Sequence, residues 1–177
     1  EYTLEEMIEA IKQDNTFDTN TKNEAINRLK VAKQWGLFSE EGTKIDDLIQ
    51  GGKVTILDTS AYVTSSAGWG VRALVVGLVT RKIFIKRMIS RQLEEIEAIK
   101  KGYSYFQTRD EDESEEKKPL VWFIIDEAHN FLPETGKTAA TDSLVTILRE
   151  GRQPGLSLIL ITQQPGKIHT DVMTQSD

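Results

Sequence analysis

Two carboxylates, Asp126 and Glu127, follow directly on the apolar run Leu120-Val121-Trp122-Phe123-Ile124-Ile125. An unbroken apolar run of this length reads as a strand buried on both faces of a parallel sheet. Parallel sheets place ligands just beyond the carboxyl ends of their strands. The acidic pair therefore stands where a ligand would be, carried by a rigid element. Adjacent carboxylates have the chemistry to hold a hard cation and to act on water as a general base. The plainer alternative is a buried strand whose first exposed residues happen to be acidic. His129 follows closely, and with His169 it makes up the whole histidine content, too little for a His-based metal cage. His129 is expected to orient the loop after the strand, and His169 to be exposed.

Other elements must position this pair. Thr3-x-x-Glu6 is a capping box ahead of Leu4, Met7, Ile8 and Ile11 at helical spacing. A second box, Thr21-x-x-Glu24, predicts a helix with Ala25, Ile26, Leu29 and Ala32 on one face and Gly36 as its stop. Thr43 suits the cap of a short third helix carrying Ile45, Leu48 and Ile49. Residues 1–50 thus read as a helical subdomain that ends at Gly51-Gly52. Val54 to Leu57, ending in Asp58, reads as a strand, with Asp58 itself a turn residue or an outer neighbour of the acidic pair. A turn at Ser65 to Gly68 leads into a long helix over about 69–101. Leu74, Val75, Leu78, Met88, Ile89, Leu93 and Ile96 form its apolar face, and Gly102 its cap. Trp69 and Trp122 are expected to be packing residues. Arg109 to Lys118 is nearly all charge, which predicts a solvated, mobile loop over about 107–118. A helix over about 138–150 buries Ala140, Leu144, Ile147 and Leu148. A third apolar strand, Leu156 to Ile161, ends in Thr162-Gln163-Gln164-Pro165.

Strands followed by helices or polar loops make an α/β fold, with parallel strands the default. The expected sheet has 120–126 in the middle, flanked by 54–58 and 157–162. One feature is absent from the 177 residues: no G-x-x-x-x-G-K-[ST] phosphate loop occurs. Gly136-Lys137-Thr138 imitates its end, but Phe131 stands where glycine is required, and the segment follows the acidic strand instead of preceding it. It reads as a polar loop and helix start. The chain begins at Glu1, without Met, and stops at Asp177 soon after a motif, which reads as a fragment or as a protein trimmed at both ends.

Composition narrows the classes. The net charge of −6 gives no global nucleic-acid footprint, though local basic patches remain open. Without cysteine there is neither a disulfide framework nor a thiolate metal site, which suits an intracellular, cytoplasmic protein. Arg72, Arg81 and Lys82 bracket the apolar stretch Ala73 to Val79, so it is too short to span a bilayer.

The run 120–129 has the pattern of the Walker B strand of P-loop ATPases. There the Asp holds Mg²⁺, usually through water, and the Glu can polarise the water that attacks the γ-phosphate. Arg149-Glu150-Gly151-Arg152-Gln153-Pro154-Gly155, the strand from Leu156 and the Thr162-Gln163-Gln164-Pro165 tail extend the pattern. Together they resemble the HerA/FtsK group of motor ATPases, and within it the HerA-like archaeal ATPases. The likeness is dense over 120–177 and looser over 22–100. It implies a partial RecA-like core over 51–177 with a helical insertion before it. It implies that Asp126 binds Mg²⁺, that Glu127 is catalytic, and that Gln163 or Gln164 is the polar sensor ending the next strand. It makes Arg149 and Arg152 candidates for an arginine that reaches a phosphate, in this subunit or its neighbour. For each, the alternative is a helix C-terminal arginine offsetting the dipole and pairing with acids. The resemblance further implies ATP as cofactor, DNA as partner, a homo-hexamer, a nuclease partner of NurA type, a role in DNA repair and no membrane.

Two rivals stand beside it. Asp126-Glu127-Ala128-His129 spells the motif of DEAH-box helicases, but these usually carry Ser/Thr-Ala-Thr where Thr162-Gln163-Gln164 stands here. Lacking a phosphate loop, the chain could also be a non-catalytic scaffold module.

Overall fold

A computed structural model describes residues 3–39, 41–62, 68–104 and 119–175, with the backbone alone over 101–104. The charged segment 107–118 and the turn over 65–67 lie outside the described residues. The chain divides into two compact units, Glu1–Lys44 and Ile45–Asp177.

In the first unit α1 (Leu4–Gln13) packs on α2 (Thr19–Lys33). Thr3 and Glu6 form the expected capping box: Glu6 N–H donates to Thr3 Oγ1 at 3.1 Å, and Thr3 N–H donates to Glu6 Oε2 at 2.7 Å. The Thr3 backbone and hydroxyl hold the exposed Glu6 carboxyl below its ordinary pKa. The cap of α2 is a correction. It is Asp18, not Thr21, whose carboxylate accepts from the Asn20 and Thr21 N–H groups at 2.8 and 3.0 Å. A carboxylate serves two orphan donors at once and suits the positive end of the helix dipole. The Thr21 hydroxyl instead donates to Asp18 Oδ2 at 2.6 Å.

The second unit begins with α3 (Ile45–Leu48) and continues through α4 (Gly68–Ser104), β1 (Val121–Ile125), α5 (Thr141–Glu150), β2 (Leu156–Leu160) and α6 (Thr170–Gln175). β1 and β2 pair in parallel, Val121 opposite Leu156 and Ile125 opposite Leu160. Among the described residues the sheet has two strands, not three. The segment 54–58 is not a strand: Val54 and Ile56 are 90% and 86% exposed. β-propensity expresses packing against neighbours more than an intrinsic backbone preference, and these residues have no ladder to join. Asp58 is a turn residue, its carboxylate accepting from Ser60 N–H at 2.8 Å.

One face of the sheet is covered. Val121, Phe123, Ile125, Leu156, Leu158 and Leu160 pack toward the cores built from Ala73, Ile83, Ala140, Leu144 and Ile147 of α4 and α5 and the loop nearby. The alternate residues lie open, with Trp122 65% and Ile124 66% exposed. The expectation of a strand buried on both faces therefore fails here, and so does the expectation of a packed Trp122. Trp69 is also exposed, with the Arg72 guanidinium 4.5 Å from its ring centre.

The apolar face of α4 is another correction. Leu78, Ile89, Leu93 and Ile96 are exposed, while Val71, Ala73, Thr80, Ile83 and Arg87 are buried. The helix also runs through Gly102 instead of ending before it. Close approach explains the choice of face. A Cβ at Gly77 would collide with the Ala139 carbonyl, so the turn leading into α5 meets α4 where there is no side chain. Thr80 Oγ1 satisfies itself by donating to Val76 O at 2.7 Å and lies 3.0 Å from Ser143 Oγ of α5.

Gly77→Ala should therefore lower the stability of the unit by ~1–3 kcal/mol through overpacking. Gly70→Ala, in the same helix with open space around it, should be neutral or gain up to ~1 kcal/mol. Urea denaturation of the two variants checks the contrast, and equal midpoints would contradict it.

Candidate active site at the carboxyl ends of the strands

β1 and β2 do not simply stop. Ile161 N–H donates to Ile125 O, and Ile161 O accepts from Ala128 N–H, both at 2.9 Å. One residue just beyond β2 thus brackets both sides of Asp126-Glu127. The two residues between the bonds must leave the ladder, and Glu127 adopts a left-handed conformation, φ 49° and ψ 47°. For a residue with a side chain this is uncommon and costs energy, and such positions cluster at functional sites. A short 3-10 turn, Ala128–Asn130, follows.

The loops beyond are tied together as well. His169 N–H donates to Leu132 O at 2.7 Å and Glu134 N–H to Lys167 O at 3.0 Å. His169 is half-buried, not exposed, and its Nδ1 accepts from Asp171 N–H at 3.2 Å. Thr138, in the false phosphate-loop segment, spends its hydroxyl on Phe131 O at 2.8 Å, and Lys137 pairs with Asp142 at 2.8 Å. Both belong to the start of α5, as the polar-loop reading expects.

On this base Asp126 is exposed and its Oδ1 accepts from Glu127 N–H at 2.9 Å. Gln163 Nε2 donates to Glu127 Oε1 at 2.9 Å. His129 Nδ1 lies 2.9 Å from Thr162 Oγ1, which also accepts from Gln164 N–H at 3.1 Å. The structure thus brings Asp126, Glu127, His129, Thr162 and Gln163 to one place. Among the described residues the Gln164 side chain makes no hydrogen bond to it, and its backbone closes the turn. Thr162 is the member that sequence reasoning passed over. Its signal was its place at the end of the second strand, level with the acidic pair.

A single exposed carboxylate suits Mg²⁺, which keeps several waters and takes one or two protein carboxylates beside phosphate oxygens. Among the described residues no group of three or more His, Cys, Asp or Glu forms a dedicated metal cage. The donor set at Asp126 fits a metal that arrives with its own ligands.

Arg149 and Arg152 are not part of this cluster. α5 ends at Glu150, and the turn behind it returns to the start of the strands: Gly155 O accepts from Val121 N–H at 3.1 Å and Gly151 O from Leu156 N–H at 2.7 Å. At ~3.3 Å per residue, β1 alone separates that end from Asp126 by roughly 16 Å. Arg149 is tied to Asp171 of α6 at 2.7 Å. Arg152 is exposed and makes no side-chain hydrogen bond or ion pair among the described residues. The turn is held by Arg87 of α4, whose buried Nε donates to Pro154 O at 2.8 Å, and by Gly155 at φ +77°, a conformation that side chains disfavour. Arg87 gave no sequence signal, because it lies on the helix face that pattern reading left to solvent.

No protein-family model matches the chain. It is 30% identical over 135 residues to the DNA double-strand break repair helicase HerA of Pyrococcus furiosus, covering 72% of this chain and 23% of that protein. It is 40% identical over 60 residues to the probable DNA double-strand break repair helicase HerA of Methanocaldococcus jannaschii, covering 34% of this chain and 12% of that protein. A probable helicase of the same organism is 36% identical over 55 residues, 31% of this chain and 11% of that protein. The chain spans at most 23% of the length of these curated relatives. Over partial stretches, it is similar to HerA-type helicases.

Proposed function

We propose that residues 51–177 are part of the RecA-like core of a HerA-type ATP-dependent DNA translocase, the part that carries the Walker B and sensor residues, with 1–50 as a helical insertion. The observation that carries this reading is the Glu127–Gln163 hydrogen bond at the carboxyl ends of two parallel strands. Similarity to HerA helicases supports the same reading. Asp126 would hold Mg²⁺ through water, and the metal would offset phosphate charge. Glu127 would take the proton from the attacking water, which its place beside a neutral amide permits. Gln163 can donate to phosphate and accept from water without adding negative charge. The phosphate cradle itself is not among these 177 residues. DNA as substrate, a homo-hexameric ring and a nuclease partner of NurA type belong to the same proposal for the whole protein. No helix among the described residues is long and apolar enough to cross a membrane.

In the full-length protein, Glu127→Gln should keep ATP binding and lower turnover by about a hundredfold or more, since the amide keeps the shape but cannot serve as a base. Asp126→Asn should instead weaken Mg²⁺-dependent ATP binding. Steady-state hydrolysis with parallel nucleotide-binding isotherms measures both. Near wild-type hydrolysis in the two variants would sink the assignment.

The turn carrying Arg152 stands at the opposite end of the strands from Glu127, which fits action on a neighbouring subunit's phosphate. Arg149 is already engaged by Asp171, which leaves Arg152 as the candidate. Arg152→Ala should slow hydrolysis with little change in ATP affinity, because the charge it meets grows in the transition state. Mixing Arg152→Ala with Glu127→Gln subunits should restore part of the activity. No recovery, despite demonstrated mixing, would refute action between subunits.

A further inference from the structure

We infer that His129 carries a proton on Nδ1 and is a positioning residue for Glu127, fixing which carboxylate oxygen faces the ligand side. The inference rests on the catalytic reading of Glu127. The two oxygens of that carboxylate have different surroundings. Oε1 accepts from Gln163 Nε2 at 2.9 Å. Oε2 is buried and has no hydrogen-bond partner among the described residues. His129 Nδ1 stands 3.4 Å from Oε2, with the imidazole largely buried. The same nitrogen lies 2.9 Å from Thr162 Oγ1.

The His129–Thr162 bond can run in either direction, but only one suits Glu127. If the Thr162 hydroxyl donated, the electron-rich, unprotonated Nδ1 would stand 3.4 Å from a buried carboxylate oxygen that already lacks a donor. Such an oxygen is costly in a low-dielectric setting. If Nδ1–H donates to Thr162, its positive end lies beside Oε2 and offsets that charge. Thr162 Oγ1 has two lone pairs, so it can accept from both His129 and the Gln164 N–H group.

This arrangement gives the left-handed Glu127 a defined side chain. His129 holds Oε2 inward, and Oε1 remains with Gln163 on the side where a water would be activated. The histidine touches neither water nor nucleotide in this account. It acts through Glu127, and Thr162 links it to the strand end that carries Gln163.

The proton position can be read directly. With ¹⁵N-labelled histidine, two imidazoles report from this chain, and a His169→Gln variant assigns them. His129 should show a protonated Nδ1, and Thr162→Val should shift that signal. An imidazole protonated only at Nε2 would overturn the inference without any activity measurement. In the full-length protein, His129→Ala should lower kcat roughly tenfold or more through misplacement of Glu127, with KM for ATP changed by less than about twofold. His129→Asn, whose amide N–H can stand near the Nδ1 position, should recover most of the loss. Unchanged kcat in His129→Ala, or equal loss in the Asn variant, would overturn the inference. Glu127→Gln in the same series separates the two readings. If it stays active, the catalytic assignment of Glu127 fails. If it is inactive while His129→Ala is normal, only the positioning role fails.

Discussion

Everything at the candidate site depends on two backbone hydrogen bonds to one residue. Ile161 donates to Ile125 and accepts from Ala128, so the chain between them has room for two residues and nowhere in the ladder to put them. Asp126 and Glu127 are pushed beyond the sheet, one extending from the strand, the other turned left-handed. Parallel pairing makes this useful. It brings the end of β2 alongside the end of β1, so Thr162 and Gln163 arrive beside the acidic pair without any long-range search. The cost of the left-handed residue is met by the surrounding backbone bonds, Leu132 to His169 and Glu134 to Lys167, which leave the loop little freedom to relax.

The same topology divides the polar work between two ends. The carboxyl ends hold Asp126, Glu127, His129, Thr162 and Gln163. The amino ends hold the turn with Arg152, fastened by the buried Arg87 on Pro154 O. A short strand is long enough to prevent a side chain at one end from serving the other. The partly bare sheet is consistent with a unit that has further neighbours: Trp122, Ile124 and Ile159 share one exposed face.

Legibility in the sequence followed the range of the interactions. The Thr3-Glu6 box spans one helical turn and could be read directly. Asp18 was missed because Thr21 and Glu24 imitate the same short pattern, and only the actual N–H directions decide between them. The face of α4 was misread because the helix has two usable stripes. The more apolar one is exposed, and the buried one carries Gly77, Thr80 and Arg87, chosen for close approach and internal bonding to α5 and Pro154. The strand expected over 54–58 has the right residues but no partner among those described. At the site, the pair of carboxylates and the glutamine were visible because chemistry restricts residue type there. Thr162 and the inward oxygen of Glu127 were not, since they depend on the register of β1 against β2.

A structure of the full-length protein with Mg²⁺ and a non-hydrolysable ATP analogue tests the central claim most directly. The account predicts the metal on the Asp126 side through water, with Glu127 and Gln163 facing the γ-phosphate across one water. The Arg152 guanidinium nearest that phosphate should belong to a neighbouring subunit. A nucleotide bound away from the carboxyl ends of β1 and β2, with Glu127 still turned inward and remote from phosphate, would contradict it.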